Sequence, residues 1–208
     1  MLAPCASMIV IMFEQVLASV PGVRPIHLGA GDLIFRQGEA VTAIFQVKDG
    51  SVAMLRHLSD GALLTVATAG AGETFAEAAL FSEHYHCDAI ARTKAEILSA
   101  PSVGLRRLLA SDPQLAIEFA AFLARQVREL RTRLEIQRIK RAPDRLMAWL
   151  HWRARGEKSV EAPDAWSRVA SELALTPEAL YRALSQLEKS GLISRRGRQI
   201  LFHSASER

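Results

Sequence analysis

Cysteine is scarce in this 208-residue chain, which contains only Cys5 and Cys87. Two cysteines cannot build the disulfide framework of a small secreted domain, so we expect a reducing, cytoplasmic setting. Long apolar runs are also missing, because residues 8–13 fall far short of the roughly 20 residues that span a bilayer. The N-terminal segment lacks the pattern of a secretory signal as well, and we expect no membrane partner. Three candidate start residues stay open: Met1, Met8 and Met12.

Charge is distributed unevenly along the chain. Residues 1–124 carry 8 Lys+Arg against 12 Asp+Glu, whereas residues 125–208 carry 18 against 10. The resulting net charges of −4 and +8 sum to the formal net charge of +4. A basic part joined to an acidic part is typical of a nucleic-acid-binding domain attached to a sensor domain.

Short β-rich runs alternate with glycine-containing turns between residues 23 and 98. Turn signals at intervals of about ten residues predict a β-sandwich, jelly roll or barrel, which we assign as a jelly-roll-like β-roll. Asp49-Gly50, which lies between two alternating runs, predicts a hairpin. We assign residues 1–111 to this domain as the sensor part of an α+β protein.

A long helix is predicted from residue 113 to about residue 139, because Asp112-Pro113 supplies a cap and a first-turn proline and no Gly or Pro follows. A heptad seam with alternating spacings of four and three runs along it: Ala116, Ala120, Leu123, Val127, Leu130, Leu134 and Gln137. The helix would be roughly 40 Å long, which is more than a chain of this size needs for its own core. We therefore assign residues 112–140 to dimerisation through Leu123, Val127, Leu130 and Leu134. Packing of the helix on its own sheet is the alternative.

The most specific motif lies in the C-terminal part, residues 141–208. A short helix is predicted at residues 167–173, and Ala174-Leu175 follows as a tight turn. Thr176 then caps a second helix that has Pro177 at its first position. Two helices joined in this way form a helix-turn-helix, and LISRRGRQILF predicts a wing of two strands around Arg196-Gly197.

The second helix turns a polar face away from its leucines. Side chains near the N-terminus of such a helix reach base edges in the major groove, where Arg suits guanine and Glu suits cytosine. A surface salt bridge between Glu178 and Arg182 is the alternative. The wing arginines suit phosphates, with a solvated basic turn as the alternative. The predicted DNA-binding residues are Thr176, Pro177, Glu178, Tyr181, Arg182, Gln186, Arg195, Arg196 and Arg198.

These elements together resemble the cyclic-AMP receptor protein / fumarate-nitrate reduction regulator (CRP/FNR) superfamily over roughly residues 23–203. The resemblance rests on the motifs GDLIFRQGE, FAEAALFSE, RLMAWL and ELALTPEALYRALSQLEKSGLI. It implies a homodimeric transcription factor that reads a palindromic duplex site and has RNA polymerase as a further partner. Glu178 and Arg182 match the base-reading residues of the family. Pro177 and Tyr181 depart from it, since Arg and a small residue are usual at those positions.

The same resemblance implies an effector pocket formed by Glu77, Cys87, Asp88, Leu130 and Arg131. Glu77 matches the residue that holds the ribose of a cyclic nucleotide. Cys87-Asp88 replaces the Arg and Ser or Thr that hold the cyclic phosphate, and an Asp would repel a phosphate. We therefore do not expect cyclic AMP as the effector. Two cysteines also cannot supply a Cys₄ iron–sulfur cluster.

Imidazole and thiolate side chains are ligands for metals and haem iron, so His84, His86 and Cys87 form a candidate metal or haem site. Thiol oxidation at Cys87 is a second interpretation. A third is a solvated turn in which Cys87 is a small buried apolar residue. The sequence leaves these open, and with them a regulator that needs no ligand.

Two other function classes compete with a DNA-binding regulator. The pair His84-x-His86 is similar to a cupin ligand pair, which would indicate a metal-dependent enzyme. The downstream ligands are missing, however, and an enzyme leaves the winged helix unexplained. A dimeric interaction module that binds no DNA is the other rival. We predict a regulator that is not an enzyme.

Overall fold

The computed structural model of the chain describes residues 16–17, 20–58, 61–163 and 165–203. It divides into two compact units, the first ending at Leu123 and the second beginning at Ala124. The boundary falls within the long helix, so the three-part division at residues 111/112 and 140/141 stays a prediction. The predictions about Cys5 and the alternative starts lie outside the described residues.

The first unit contains eight strands in its described part: β1 Arg24–Leu28, β2 Leu33–Phe35, β3 Ala43–Asp49, β4 Ser51–His57, β5 Leu63–Gly70, β6 Thr74–Phe75, β7 Asp88–Ala91 and β8 Ala95–Pro101. They form two antiparallel sheets, one in the order β1-β8-β3-β6 and the other in the order β2-β7-β4-β5. A short 3-10 helix, Glu77–Ala79, lies between β6 and β7. The predicted β-roll is confirmed.

The hairpin predicted at Asp49-Gly50 is wrong. β3 and β4 flank Gly50 but belong to different sheets, so this turn carries the chain from one sheet to the other. Gly50 has a φ of 82°, and a Cβ built there would lie 2.3 Å from the carbonyl oxygen of Lys94. Only glycine fits that backbone conformation and that approach without strain.

Neighbouring residues of β3 belong to two different hydrophobic cores. Phe45 belongs to the core between the sheets, where aromatic rings stack in series: Phe35 on Tyr85 at 3.8 Å between centroids, and Phe45 on Phe75 at 5.1 Å. Ile44 points the other way and packs with the helices that follow the sheet, α1 (Ser102–Ser111) and α2 (Pro113–Gln137). Asp112 caps α2 as predicted, since its Oδ1 accepts a hydrogen bond from the Leu115 amide at 3.1 Å.

The second unit contains the last part of α2 and three further helices in its described part: α3 Ala142–Ala154, α4 Trp166–Glu172 and α5 Pro177–Lys189. Three antiparallel strands follow the order β10-β11-β9: β9 Ser159–Glu161, β10 Ile193–Arg196 and β11 Gln199–Phe202. The helix-turn-helix and the two-stranded wing are confirmed. The third strand, β9, falls in a polar segment for which the sequence predicts no strand.

Candidate nucleic-acid interface and sensor site

Two neighbouring residues, Thr176 and Pro177, set the start of helix α5. The Oγ1 atom of Thr176 accepts a hydrogen bond from the Ala179 amide at 3.1 Å, and Pro177 occupies the first turn. The inner face of the helix is buried: Leu180, Ala183, Leu184 and Leu187. These side chains pack into one core with Leu146 and Leu150 of α3, which fixes the direction in which the opposite face points.

The opposite face of α5 is exposed at every position predicted to read bases: Pro177, Glu178, Tyr181, Arg182 and Gln186. Hydrogen bonds from its own backbone amide and from the Thr176 hydroxyl lower the pKa of Glu178, and the charge of Arg182 lowers it further. The carboxylate is therefore an acceptor near neutral pH, and Arg182 beside it is a donor. Such a face can pair with donor and acceptor groups on base edges.

The wing places its three arginines in different settings. Arg195 donates two hydrogen bonds to the Glu188 carboxylate, from Nε at 2.5 Å and from Nη2 at 3.0 Å. Arg198 donates from Nε to Glu161 at 3.0 Å. Arg196 has no carboxylate partner within the described ranges. The end of β10 thus exposes a guanidinium that no carboxylate of the described residues holds.

In the sensor unit, Asp88 stands at the start of β7 with its carboxylate already bonded. Oδ1 accepts from the Gln37 amide at 2.7 Å, and Oδ2 lies 2.9 Å from Nε2 of His57. Burial alone would raise the pKa of Asp88, but these two hydrogen bonds and the electrostatic effects of His57 and Arg36 more than offset it and lower the pKa. Glu77, the other predicted pocket carboxylate of this unit, is half-buried in the 3-10 helix, directly after Ala76 with a φ of 64°.

Residues 84–87, just before β7, differ in burial from one residue to the next. Tyr85 is buried, with its hydroxyl donating to the Ala43 carbonyl at 2.8 Å, whereas His84 and His86 are exposed. Cys87 packs partly against the core between the sheets. Burial raises the pKa of the Cys87 thiol, with Arg56 opposing that rise and Asp88 adding to it.

The structure does not assemble the metal site predicted from His84, His86 and Cys87. Within the described part of the chain, no three His, Cys, Asp or Glu side chains lie together as a possible ligand set. Cys87 packs partly against the core between the sheets, whereas the imidazoles of His84 and His86 are exposed to solvent.

Much of the predicted dimer seam is exposed to solvent. Val127, Leu130 and Leu134 are 46%, 55% and 57% exposed, whereas Leu123 packs partly against the helical core. Arg131, predicted with Leu130 for the effector pocket, is also exposed. Gln137, the last position of the predicted seam, is engaged within the chain, because its side-chain amide donates to the Glu172 carbonyl at 2.8 Å. Across the described residues, no helix combines the length and apolar character needed to cross a membrane.

Known proteins match both units. Residues 25–112 match the cyclic nucleotide-binding domain, and residues 144–206 match the Crp-like helix-turn-helix domain. The nitrogen fixation regulation protein FixK of Bradyrhizobium diazoefficiens is 25% identical over 179 residues, which cover 82% of this chain and 74% of FixK. The cAMP-activated global transcriptional regulator CRP of Haemophilus influenzae is 24% identical, over 85% of this chain and 82% of that protein. The chain belongs to the CRP/FNR superfamily.

The solved structure of FixK2 from Bradyrhizobium japonicum shares the CRP/FNR fold. It superposes with a TM-score of 0.65 at 24% sequence identity, covering 89% of this chain and 94% of that one. At this identity the likeness shows the fold alone. Together with the helix-turn-helix match, the superfamily makes the chain a DNA-binding transcriptional regulator.

Several residues that hold the candidate sites of this CRP/FNR regulator in place are not predicted from the sequence. Gln37, in the turn after β2, and His57, at the end of β4, both bond to Asp88, and no sequence spacing reports such contacts. Glu188 holds Arg195 across the turn between α5 and β10, and its charge-complementary spacing of seven residues was a usable signal. Arg145, in the motif RLMAWL, contacts the helix-turn-helix turn and also went unnoticed.

Proposed function

We propose that this protein is a homodimeric regulator that reads a roughly palindromic duplex site with α5 of each subunit. We further propose that its β-roll responds to a signal other than a cyclic nucleotide. The observation that carries the proposal is the exposed polar face of α5, which is fixed over a leucine core and flanked by a basic wing.

The exposed seam on α2 supports the homodimer. Val127, Leu130 and Leu134 are apolar, lie about half in solvent and keep the heptad spacing of a two-helix contact. A second copy of the same helix buries this stripe without any other partner. A twofold axis through such a contact relates the two recognition helices, so the preferred duplex site has the same symmetry.

The residues of the sensor unit do not fit a cyclic nucleotide. By the family resemblance Asp88 stands where the phosphate would be held, and its lowered pKa keeps it anionic near neutral pH. Its oxygens already take the Gln37 amide and the His57 imidazole, so the donors that a phosphate needs are engaged. A phosphate beside this carboxylate would meet like charge in a partly buried setting, which is unfavourable.

A regulator that needs no small ligand is the second candidate. The stacked rings of Phe35, Phe45, Phe75 and Tyr85 pack the interior between the sheets, which favours it. The raised pKa of Cys87 also disfavours a reactive thiol, since the thiolate is the form that oxidises readily. A contact with RNA polymerase stays a prediction.

Light scattering and fluorescence anisotropy test the proposal together. We expect a dimer, a palindromic consensus after selection from randomised duplex, and an affinity for that site that falls with salt. Leu130→Glu with Leu134→Glu should shift the protein to monomers and weaken specific binding. Val103→Glu is the matched control, because Val103 is a similarly exposed apolar residue, 50% exposed on α1, and is not one of the heptad positions.

A monomeric wild type, or one that selects no sequence, would contradict the proposal. Added cyclic AMP should leave the affinity for the selected site unchanged, whereas a gain would show that a nucleotide is the signal after all. Metal analysis and absorption spectra of wild type and Cys87→Ala separate the two candidates. The ligand-independent candidate predicts metal-free, haem-free protein, and a stoichiometric signal lost in the variant would exclude it.

A further inference from the structure

The last carbonyl groups of a helix have no hydrogen-bond donors within that helix, so those at the end of α4 must find partners elsewhere. Three of them are satisfied by the backbone of the turn: Val169 by the Leu173 amide at 2.9 Å, Ala170 by the Leu175 amide at 2.8 Å, and Ser171 by the Ala174 amide at 3.1 Å. Ala174 adopts a φ of 51° to make this possible. The next two carbonyls, of Glu172 and Leu173, accept hydrogen bonds from side chains instead.

Side chains from two other helices reach those two carbonyls. Nε2 of Gln137, the last residue of α2, donates to the Glu172 carbonyl at 2.8 Å. Nη1 of Arg145, on α3, donates to the Leu173 carbonyl at 2.7 Å and lies 3.4 Å from that of Ala174. A cation at a helix C-terminus is favoured by the helix dipole as well as by the hydrogen bond.

The same guanidinium has a second attachment. Nε of Arg145 donates to the Ile139 carbonyl at 2.9 Å, in the segment between α2 and α3. One half-buried side chain thus joins the end of α2 to the turn that precedes α5. The recognition helix is capped by Thr176, only two residues after Ala174, so the position of the turn sets where α5 begins.

We propose that Arg145, assisted by Gln137, is a positioning residue for sequence-specific DNA recognition. It holds the turn and thereby the register of Glu178 and Arg182 on the bases, and it contacts neither bases nor phosphates itself. The proposal rests on the proposed function, because it presupposes that α5 reads base edges. Misplacing one base-reading side chain affects the selected site, whereas binding to random duplex depends on charge and is unaffected.

Anisotropy with two duplexes tests this: the site selected by wild-type protein and a random duplex of equal length. Arg145→Met removes both attachments, and Arg145→Lys keeps the charge but cannot bridge the two carbonyls. We expect Arg145→Met to weaken binding to the selected site about tenfold, in the range of one lost base contact. Arg145→Lys should lose less, and both should bind random duplex as wild type does, with the same salt dependence.

Arg153→Met is the control, since Arg153 lies on α3 over the Trp149 ring and makes no hydrogen bond to the turn among the described residues. If Arg145→Met fails to fold by circular dichroism, Gln137→Ala removes the Glu172 bond alone and should lower only the specific affinity. Unchanged specific affinity in a folded Arg145→Met protein would overturn the proposal. So would a parallel loss on both duplexes with a shallower salt slope, which would make Arg145 a phosphate contact. A wild type that shows no selected site would refute the proposed function instead.

Discussion

Carboxylates hold two of the three wing arginines, and we therefore expect the three to contribute unequally to the salt dependence of DNA binding. Each phosphate neutralised by a protein cation adds about 0.9 to the steepness of log affinity against log salt. Arg196 is unpaired among the described residues, so Arg196→Ala should reduce the slope by about 0.9 per subunit, or about 1.8 for a dimer. Between about 50 and 200 mM salt, the wild type should then lose roughly twelvefold more affinity than the variant.

Arg195 is expected to behave differently, because its guanidinium is held by Glu188 at 2.5 and 3.0 Å. A phosphate that displaced this carboxylate would exchange one ion pair for another and leave an unpaired anion beside the DNA. Arg195→Ala should therefore leave the slope nearly unchanged. Anisotropy titrations of the selected duplex at several salt concentrations measure both variants, and circular dichroism checks their folding. Equal slope losses for Arg195→Ala and Arg196→Ala would refute the reasoning.

Three further predictions concern stability. Gly50→Ala should lower the free energy of unfolding by about 2–5 kcal/mol and Gly38→Ala by only about 1–2 kcal/mol. Both glycines have a positive φ, but only a Cβ at Gly50 would meet backbone atoms. Equal losses for the two variants in urea unfolding would contradict the crossover geometry. Ala174→Gly should stabilise the protein by up to about 1 kcal/mol, since it relieves a left-handed conformation, and a loss of stability would show that the turn is unstrained. The lowered pKa of Asp88 means that its stabilisation is complete above the pKa of an unfolded Asp, about 4, and is lost as the pH falls below that value. The stability gap between wild type and Asp88→Asn, measured by denaturation, should accordingly narrow in acid, and a constant gap would disprove the link.

Local chemistry made the DNA-binding unit predictable. The Thr176 cap, the proline after it and the leucines of α5 specify the recognition helix within a few residues, and Arg196-Gly197 specifies the wing turn. β9 was missed because its three residues pair at the edge of the sheet and bury little. A strand that gains its structure from a partner leaves little trace in its own sequence.

The sensor unit was less predictable because its contacts join distant segments. The sequence identified Gly50 as a turn, but a turn signal does not say whether the next strand returns to the same sheet or crosses to the other. The metal site is predicted from the closeness of His84, His86 and Cys87 in sequence, but that closeness does not say that the two imidazoles are exposed while Cys87 packs partly against the core. The bonded state of Asp88 depends on Gln37 and His57, which only the folded sheets bring close.

The pairing of the first and last strands of the β-roll has a consequence for how the protein folds. Arg24 of β1 pairs with Ser99 of β8, so this sheet closes only when nearly the whole first unit is available. Closing so long a loop lowers the entropy of the chain before any native contact offsets that loss. Domains whose contacts join distant parts of the sequence therefore fold slowly. The wing, in contrast, closes through a two-residue turn between neighbouring strands. During synthesis on a ribosome, we therefore expect the β1-β8-β3-β6 sheet to stay incomplete until β8 emerges, whereas the wing hairpin needs only two neighbouring strands.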